Sequence, residues 1–222
     1  MKDKNILITG ASRGIGKALK KLLEEEGANC IAPNRDVLDV SSSNSIKSFF
    51  LKHLDCKLDG LVNNAGLNIP NPIDRIEELD IEKMFNTNLV GPLNILKFAA
   101  EHMNKSHVSR IVNLSSIWGL KSKENRSLYS VTKFGINGLT RSLAHEFGKK
   151  NILINSIAPG FVNTEMTKNN VSTNEQKKLF KQIPLNRFAE PFEIAKLILF
   201  LLSENNTYIT GETITIDGGF LA

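Results

Sequence analysis

Tyr129 and Lys133, in the run YSVTK, stand four residues apart within a stretch whose apolar spacing predicts a helix over residues 127–147. That spacing puts both side chains on one face, about 6 Å apart at Cβ. A free phenol has a pKa near 10, too high for ready proton exchange at neutral pH. An ammonium at roughly 6 Å, in an effective dielectric of about 20, favours the phenolate by about 2.8 kcal/mol, or roughly two pKa units. Tyr129 is therefore expected to be lowered toward the range of a general acid/base. Ser116, in NLSS at the end of an apolar strand-like run over 110–114, supplies a hydroxyl for a substrate carbonyl oxygen beside that phenol. Taken singly, a Tyr–Lys helical pair can be packing and a serine pair can be a turn. Their joint occurrence with a phosphate-holding turn is what carries weight.

That turn lies near the start of the chain, in KNILITGASRGIG. The run Ile6, Leu7, Ile8 reads as a short buried strand. Gly10, Gly14 and Gly16 then open a helix running to about residue 26, in the spacing GxxxGxG. A backbone that bends sharply and comes close to a ligand cannot carry a Cβ. The free N–H groups and dipole of the helix start favour an anion, so the turn is suited to a pyrophosphate.

The elements that must position these groups alternate between strand and helix, which predicts a parallel sheet covered by helices on both faces. Strands are expected at 29–32, 59–64, 110–114, 152–157 and 213–216. Helices are expected from a Ser41 or Ser42 cap to about 54, and over 79–103, 127–147 and 191–202. NNAG (63–66) ends one strand, Ser115 and Ser116 another, and Pro159 and Gly160 a third, and such carboxyl ends are where open α/β sheets bind ligands. Residues 161–188 are polar and irregular with one helical patch, as a substrate-covering flap would be. No linker, repeat or low-complexity segment divides the 222 residues, so one domain over 1–222 is expected. The chain begins without an apolar signal segment and has no membrane-spanning run, which predicts a cytoplasmic protein with no membrane partner. Its net charge of +5 is scattered without any nucleic-acid motif. Cys30 and Cys56 have no metal or redox spacing and are read as buried reduced thiols, and no metal site is expected.

TGASRGIG, NNAG, Asn88 within NTN, Ser116 in NLSS, YSVTK and IAPGFVNT together resemble the short-chain dehydrogenase/reductase family over essentially the whole chain. The ending, from PLNRFAEPFEIAK onward, is most similar to its 3-oxoacyl-[acyl-carrier-protein] reductase-like members. The resemblance implies an α/β fold with a Rossmann-type doubly wound parallel sheet in three α/β/α layers. It implies a catalytic set of Asn88, Ser116, Tyr129 and Lys133. Tyr129 would protonate the carbonyl oxygen during hydride transfer, or act as base in reverse, and Lys133 would bind the nicotinamide ribose and lower the tyrosine pKa. Ser116 would orient the carbonyl, and Asn88 would hold a water in a relay from Lys133. Cofactor contacts would come from Gly10, Ser12, Arg13, Gly14, Ile15 and Gly16 at the phosphates, and from Asp39 and Val40 at the adenine. Asn64, Ala65 and Gly66 would line the ribose side, and Pro159, Gly160, Val162 and Thr164 would cup the nicotinamide. The long helix bearing Asn88 and the one bearing Tyr129 would form dimer faces, often within a tetramer.

One departure is plain. The family usually has some twenty more residues between the second strand and the Asp-Val pair, whereas here PNRDVL makes the connection alone, so a thinner sheet edge is expected. Arg13 and Arg35 are two cations where a 2′-phosphate would lie, which favours NADP(H). Asp36 beside Arg35 keeps NAD(H) open. The expected activity is interconversion of a carbonyl and a secondary alcohol, on an acyl thioester, a sugar or a small ketone. A non-catalytic nucleotide-binding regulator and an epimerase are the competing readings. The intact Ser116, Tyr129, Lys133 and Asn88 argue against the first, and the glycine spacing against the second.

Overall fold

The computed structural model describes residues 1–222, apart from the side chain of Thr173. In chain order the elements are β1 (Asn5–Ile8), α1 (Gly14–Glu25), β2 (Asn29–Ile31), α2 (Ser43–Lys52), β3 (Gly60–Asn63), α3 (Glu78–Phe85), α4 (Gly91–His102), β4 (Ser109–Leu114), α5 (Ser127–Phe147), β5 (Ile152–Pro159), α6 (Glu165–Asn170), α7 (Thr173–Phe180), α8 (Pro191–Leu202) and β6 (Thr213–Ile216). The strands pair in parallel in the order β2-β1-β3-β4-β5-β6. The order reverses at β1, so the crevice at the carboxyl ends of β1 and β3 is the place for a ligand.

The strands are short and apolar because both faces of the sheet are covered. Ile6 and Ile8 face the layer of α1 and α8, while Leu7 between them faces the layer of α2, α4 and α5. Val112 and Ile111 divide in the same way. Phe49 and Phe50 of α2, both fully buried, fill the second layer, and Leu19 and Leu23 of α1 the first. Ser42 caps α2, its hydroxyl accepting from the Ser45 amide at 3.2 Å.

Most expected elements fall within a residue or two of their predicted bounds, with three differences. The helix predicted over 79–103 is interrupted by a π-helical turn at Asn86–Val90 that separates α3 from α4. Residues 161–188 hold two helices, α6 and α7, instead of one patch; Thr164 caps the first and a Ser172/Glu175 capping box opens the second. Cys30 and Cys56 are only half-buried, although burial still pushes both thiols up, Cys30 to about 11. The shortened connection leaves the three-residue β2 as the sheet edge. Among the described residues no helix is long and apolar enough to cross a membrane.

Candidate active site

The first turns of α5 and the end of β4 bring Tyr129, Lys133 and Ser116 together. Lys133 is 4% exposed, and its Nζ donates to the Leu114 carbonyl at 2.6 Å and lies 5.6 Å from the centroid of the Tyr129 ring. The Ser115 hydroxyl donates to the Lys133 carbonyl at 3.3 Å, tying strand end to helix. Ser116 caps the 3-10 turn Ile117–Gly119, accepting from the Trp118 amide at 3.2 Å, and it lines one cavity with Tyr129.

The expected acidification of Tyr129 is overturned. Tyr129 as a residue is half-buried, but desolvation of its phenol pushes the pKa up to about 12, against the Ser116 hydrogen bond and the Arg126 charge, which pull it down. Burial likewise brings Lys133 down to about 8. The two side chains do share one face of the helix, with Lys133 Nζ 5.6 Å from the centre of the Tyr129 ring. The expectation counted only the attraction between the two groups, whereas desolvation raises the phenol and lowers the ammonium.

Asn88 sits at the centre of the π-helical turn and is 1% exposed. Its Oδ1 accepts from the Leu67 amide at 2.9 Å, while its Nδ2 donates to the Leu67 carbonyl at 2.8 Å and to Thr132 Oγ1 at 3.3 Å. The side chain is thus a clamp on the segment after β3, and a relay water would have to use the remaining lone pair of Oδ1. That oxygen does converge with Lys133: a Cβ on Gly66 would lie 3.4 Å from Asn88 Oδ1 and 3.8 Å from Lys133 Nζ.

At the glycine turn, Gly10 has φ +67°, and a Cβ there would come within 2.8 Å of the Ala65 Cα. Asn64 Nδ2 donates to the carbonyls of Thr9 and Gly10 at 2.9 and 2.8 Å, so Asn64 holds the turn itself. The Thr9 hydroxyl accepts from the amides of Asn64 and Ala65, both at 3.0 Å, a role the sequence reading missed. No side chain caps α1 at Arg13 and no acidic residue occupies its first turn, so the amides of Gly14, Ile15 and Gly16 and the exposed Ser12 form a donor set suited to a phosphate. A dinucleotide phosphate therefore fits the residues present.

The two expected cations are both engaged. Arg13 Nη1 pairs with Glu165 Oε2 at 3.5 Å, and Arg35 reaches Asp39 Oδ2 with Nε and Nη2, both at 3.1 Å. Burial works against ionisation of Asp39, but the Ser41 hydroxyl and amide and the Arg35 guanidinium together hold its pKa below the usual value. Asp39 and Arg35 thus form a unit where the adenine is expected, while the neighbouring Val40 carbonyl packs on Gly91 at the start of α4. Pro159 ends β5. Gly160 donates to the Ile216 carbonyl at 3.0 Å, the buried Val162 pairs with Ala189, and Thr164 caps α6 with its methyl against Gly14.

Ser116 and Tyr129 open into a cavity of about 90 Å³ that is also lined by Asn68, Trp118, Arg126, Phe161 and the inner residues of α6. Arg126, at the N-cap of α5 three residues before Tyr129, has no counterpart among the residues singled out from the sequence.

Residues 35–221 match the family described as enoyl-(acyl carrier protein) reductase. The 3-oxoacyl-[acyl-carrier-protein] reductase of Thermotoga maritima is 35% identical over all of this chain and 99% of its own. The chain belongs to the short-chain dehydrogenase/reductase family. This short-chain dehydrogenase/reductase is also 35% identical to an L-xylulose reductase of Caenorhabditis elegans, across 98% of this chain and 96% of the relative. Among solved structures, ElxO with NADP bound superposes with a TM-score of 0.90 at 33% identity, covering 100% of this chain and 99% of that one. It is an oxidoreductase with a Rossmann-like parallel sheet.

Proposed function

We propose that the protein is an NADP(H)-dependent reductase, converting a carbonyl to a secondary alcohol with Tyr129 as the general acid. The observation that carries this reading is that Ser116 and Tyr129 line one cavity while Lys133 is buried with its Nζ 5.6 Å from the centre of the Tyr129 ring. When bound, the dinucleotide supplies hydride.

The residues of the chain supply the rest. A phenol pushed up to about 12 is protonated at neutral pH and stands ready to donate. Ser116 and the Arg126 charge favour the phenolate left behind. Lys133, at about 8, exchanges a proton near neutral pH. Arg13 and Arg35, both exposed, and the bound NADP of the ElxO structure support NADP(H) over NAD(H). Among substrates, 3-oxoacyl thioesters are the class that the Thermotoga maritima relative suggests.

The chain acts as one domain over 1–222 in the cytoplasm. Val90, Leu93, Val131 and Phe134, apolar and 39 to 53% exposed on or beside α4 and α5, support a homodimer or homotetramer through these helices. A screen at 340 nm of NADPH and NADH against ketones, β-ketoacyl thioesters and keto sugars tests the reading. Oxidation of neither cofactor by any of them overturns it.

A further inference from the structure

Arg126 is 7% exposed and lines the same cavity as Tyr129 and Ser116. Its Nη1 donates to Asn68 Oδ1 at 3.1 Å, while its Nε has no hydrogen-bond partner. Among the described residues no carboxylate lies within 4.0 Å of it. Glu175 acts on it through space, but that carboxylate is taken by the Ser172 amide and hydroxyl at 2.9 and 2.7 Å. A guanidinium stays charged in proteins, and a buried charge without a counter-ion is costly unless a ligand neutralises it. The other lining residues are neutral, so Arg126 is the cavity's own cation. It also sits at the N-cap of the 21-residue α5, which has no side-chain cap and no acidic residue in its first turn, so the helix dipole adds positive potential at the same point.

We infer that Arg126 determines specificity by binding a carboxylate of the substrate, so that the carbonyl reduced at Tyr129 belongs to a short oxo acid. The inference rests on the carbonyl-reductase reading and departs from the thioester class that the Thermotoga maritima relative suggests, in favour of a free carboxylate. The guanidinium fork matches a carboxylate, and Arg126 and Tyr129 are neighbours one turn apart on the helix. The balanced step is hydride from the reduced nicotinamide dinucleotide to the carbonyl carbon and a proton from the Tyr129 hydroxyl to the carbonyl oxygen. The hydroxy acid forms with its carboxylate unchanged.

Trp118, the only tryptophan in the chain, lines the cavity and gives a readout independent of turnover. Quenching of its fluorescence is titrated with 3-hydroxybutyrate and with the neutral 3-hydroxybutanamide, in the wild type and in the variants Arg126→Met and Arg126→Lys. The acid is expected to bind the wild type at least tenfold more tightly than the amide. Arg126→Met should abolish that preference and Arg126→Lys keep part of it. In steady state, kcat/KM for acetoacetate should exceed that for acetoacetamide and for the acetoacetyl thioester of N-acetylcysteamine by tenfold or more. The ratio should collapse in Arg126→Met through KM. Equal binding of acid and amide by the wild type overturns the inference. So does an equal loss on all substrates with a displaced pH profile, because Arg126 would then act only through Tyr129. If no carbonyl compound is turned over, the reductase reading falls, and the titration alone still decides the role of Arg126.

Discussion

Lys133 donates through Nζ to the main-chain oxygen of Leu114 at 2.6 Å, so the ammonium is anchored to the last residue of β4. Its pKa, brought by burial from 10.5 to about 8, makes stability depend on pH. Below pH 8 folded and unfolded chains both carry the charge and the full burial cost is felt. Between pH 8 and 10.5 the unfolded chain binds the proton and the folded one does not, so stability rises with pH. Urea unfolding of Lys133→Met and the wild type should show their difference moving toward the wild type by about 2 kcal/mol between pH 7 and pH 10. A pH-independent difference would contradict the buried ammonium.

Tyr129→Phe keeps the ring and removes the proton donor. Turnover should fall at least a thousandfold while NADPH binding, followed by fluorescence, changes less than threefold. Ser116→Ala removes a partner that lowers the phenol pKa, so its residual activity should show the Tyr129 limb displaced to higher pH. A wild-type rate in Tyr129→Phe rules out the assigned acid.

Asn88→Ala leaves the amide and carbonyl of Leu67 without partners. Unmade hydrogen bonds of this kind cost about 1–3 kcal/mol, which for a chain of this length corresponds to a fall in Tm of several degrees. Calorimetry should find that fall together with a loss of turnover. A variant with unchanged Tm would mean that the π-helical turn holds Leu67 without the clamp.

Arg13→Ala and Arg35→Ala should each raise KM for NADPH about tenfold and leave KM for NADH within threefold, since only NADPH carries the extra phosphate. Kinetics with both cofactors check this. An equal effect on both would assign the two arginines to their ion pairs with Glu165 and Asp39.

The sheet and most helices were legible because each strand pairs a short apolar run with a polar carboxyl end, as in Ile6–Ile8 before Gly10 and 110–114 before Ser116. Helix α5 was placed at its observed bounds by periodicity alone. The pKa of Tyr129 was not legible, since the spacing of Tyr129 and Lys133 encodes distance and leaves out burial. The π-helical turn at Asn88 accompanies a clamp to Leu67, twenty-one residues away, and leaves no local signature. The second helix over 161–188 did leave one, Ser172 three residues before Glu175, a capping signal hidden in a polar stretch. Arg126 stood in plain view but was informative only once its neighbours enclosed it.

The clipped link after β2 leaves that rim of the sheet three residues long, and β6 at the opposite rim has only four. An unpaired rim is a template for stray chains in proportion to the rungs it offers. With so few at either end, the sheet gives little purchase for accretion, and blunted rims protect the fold without charged guards.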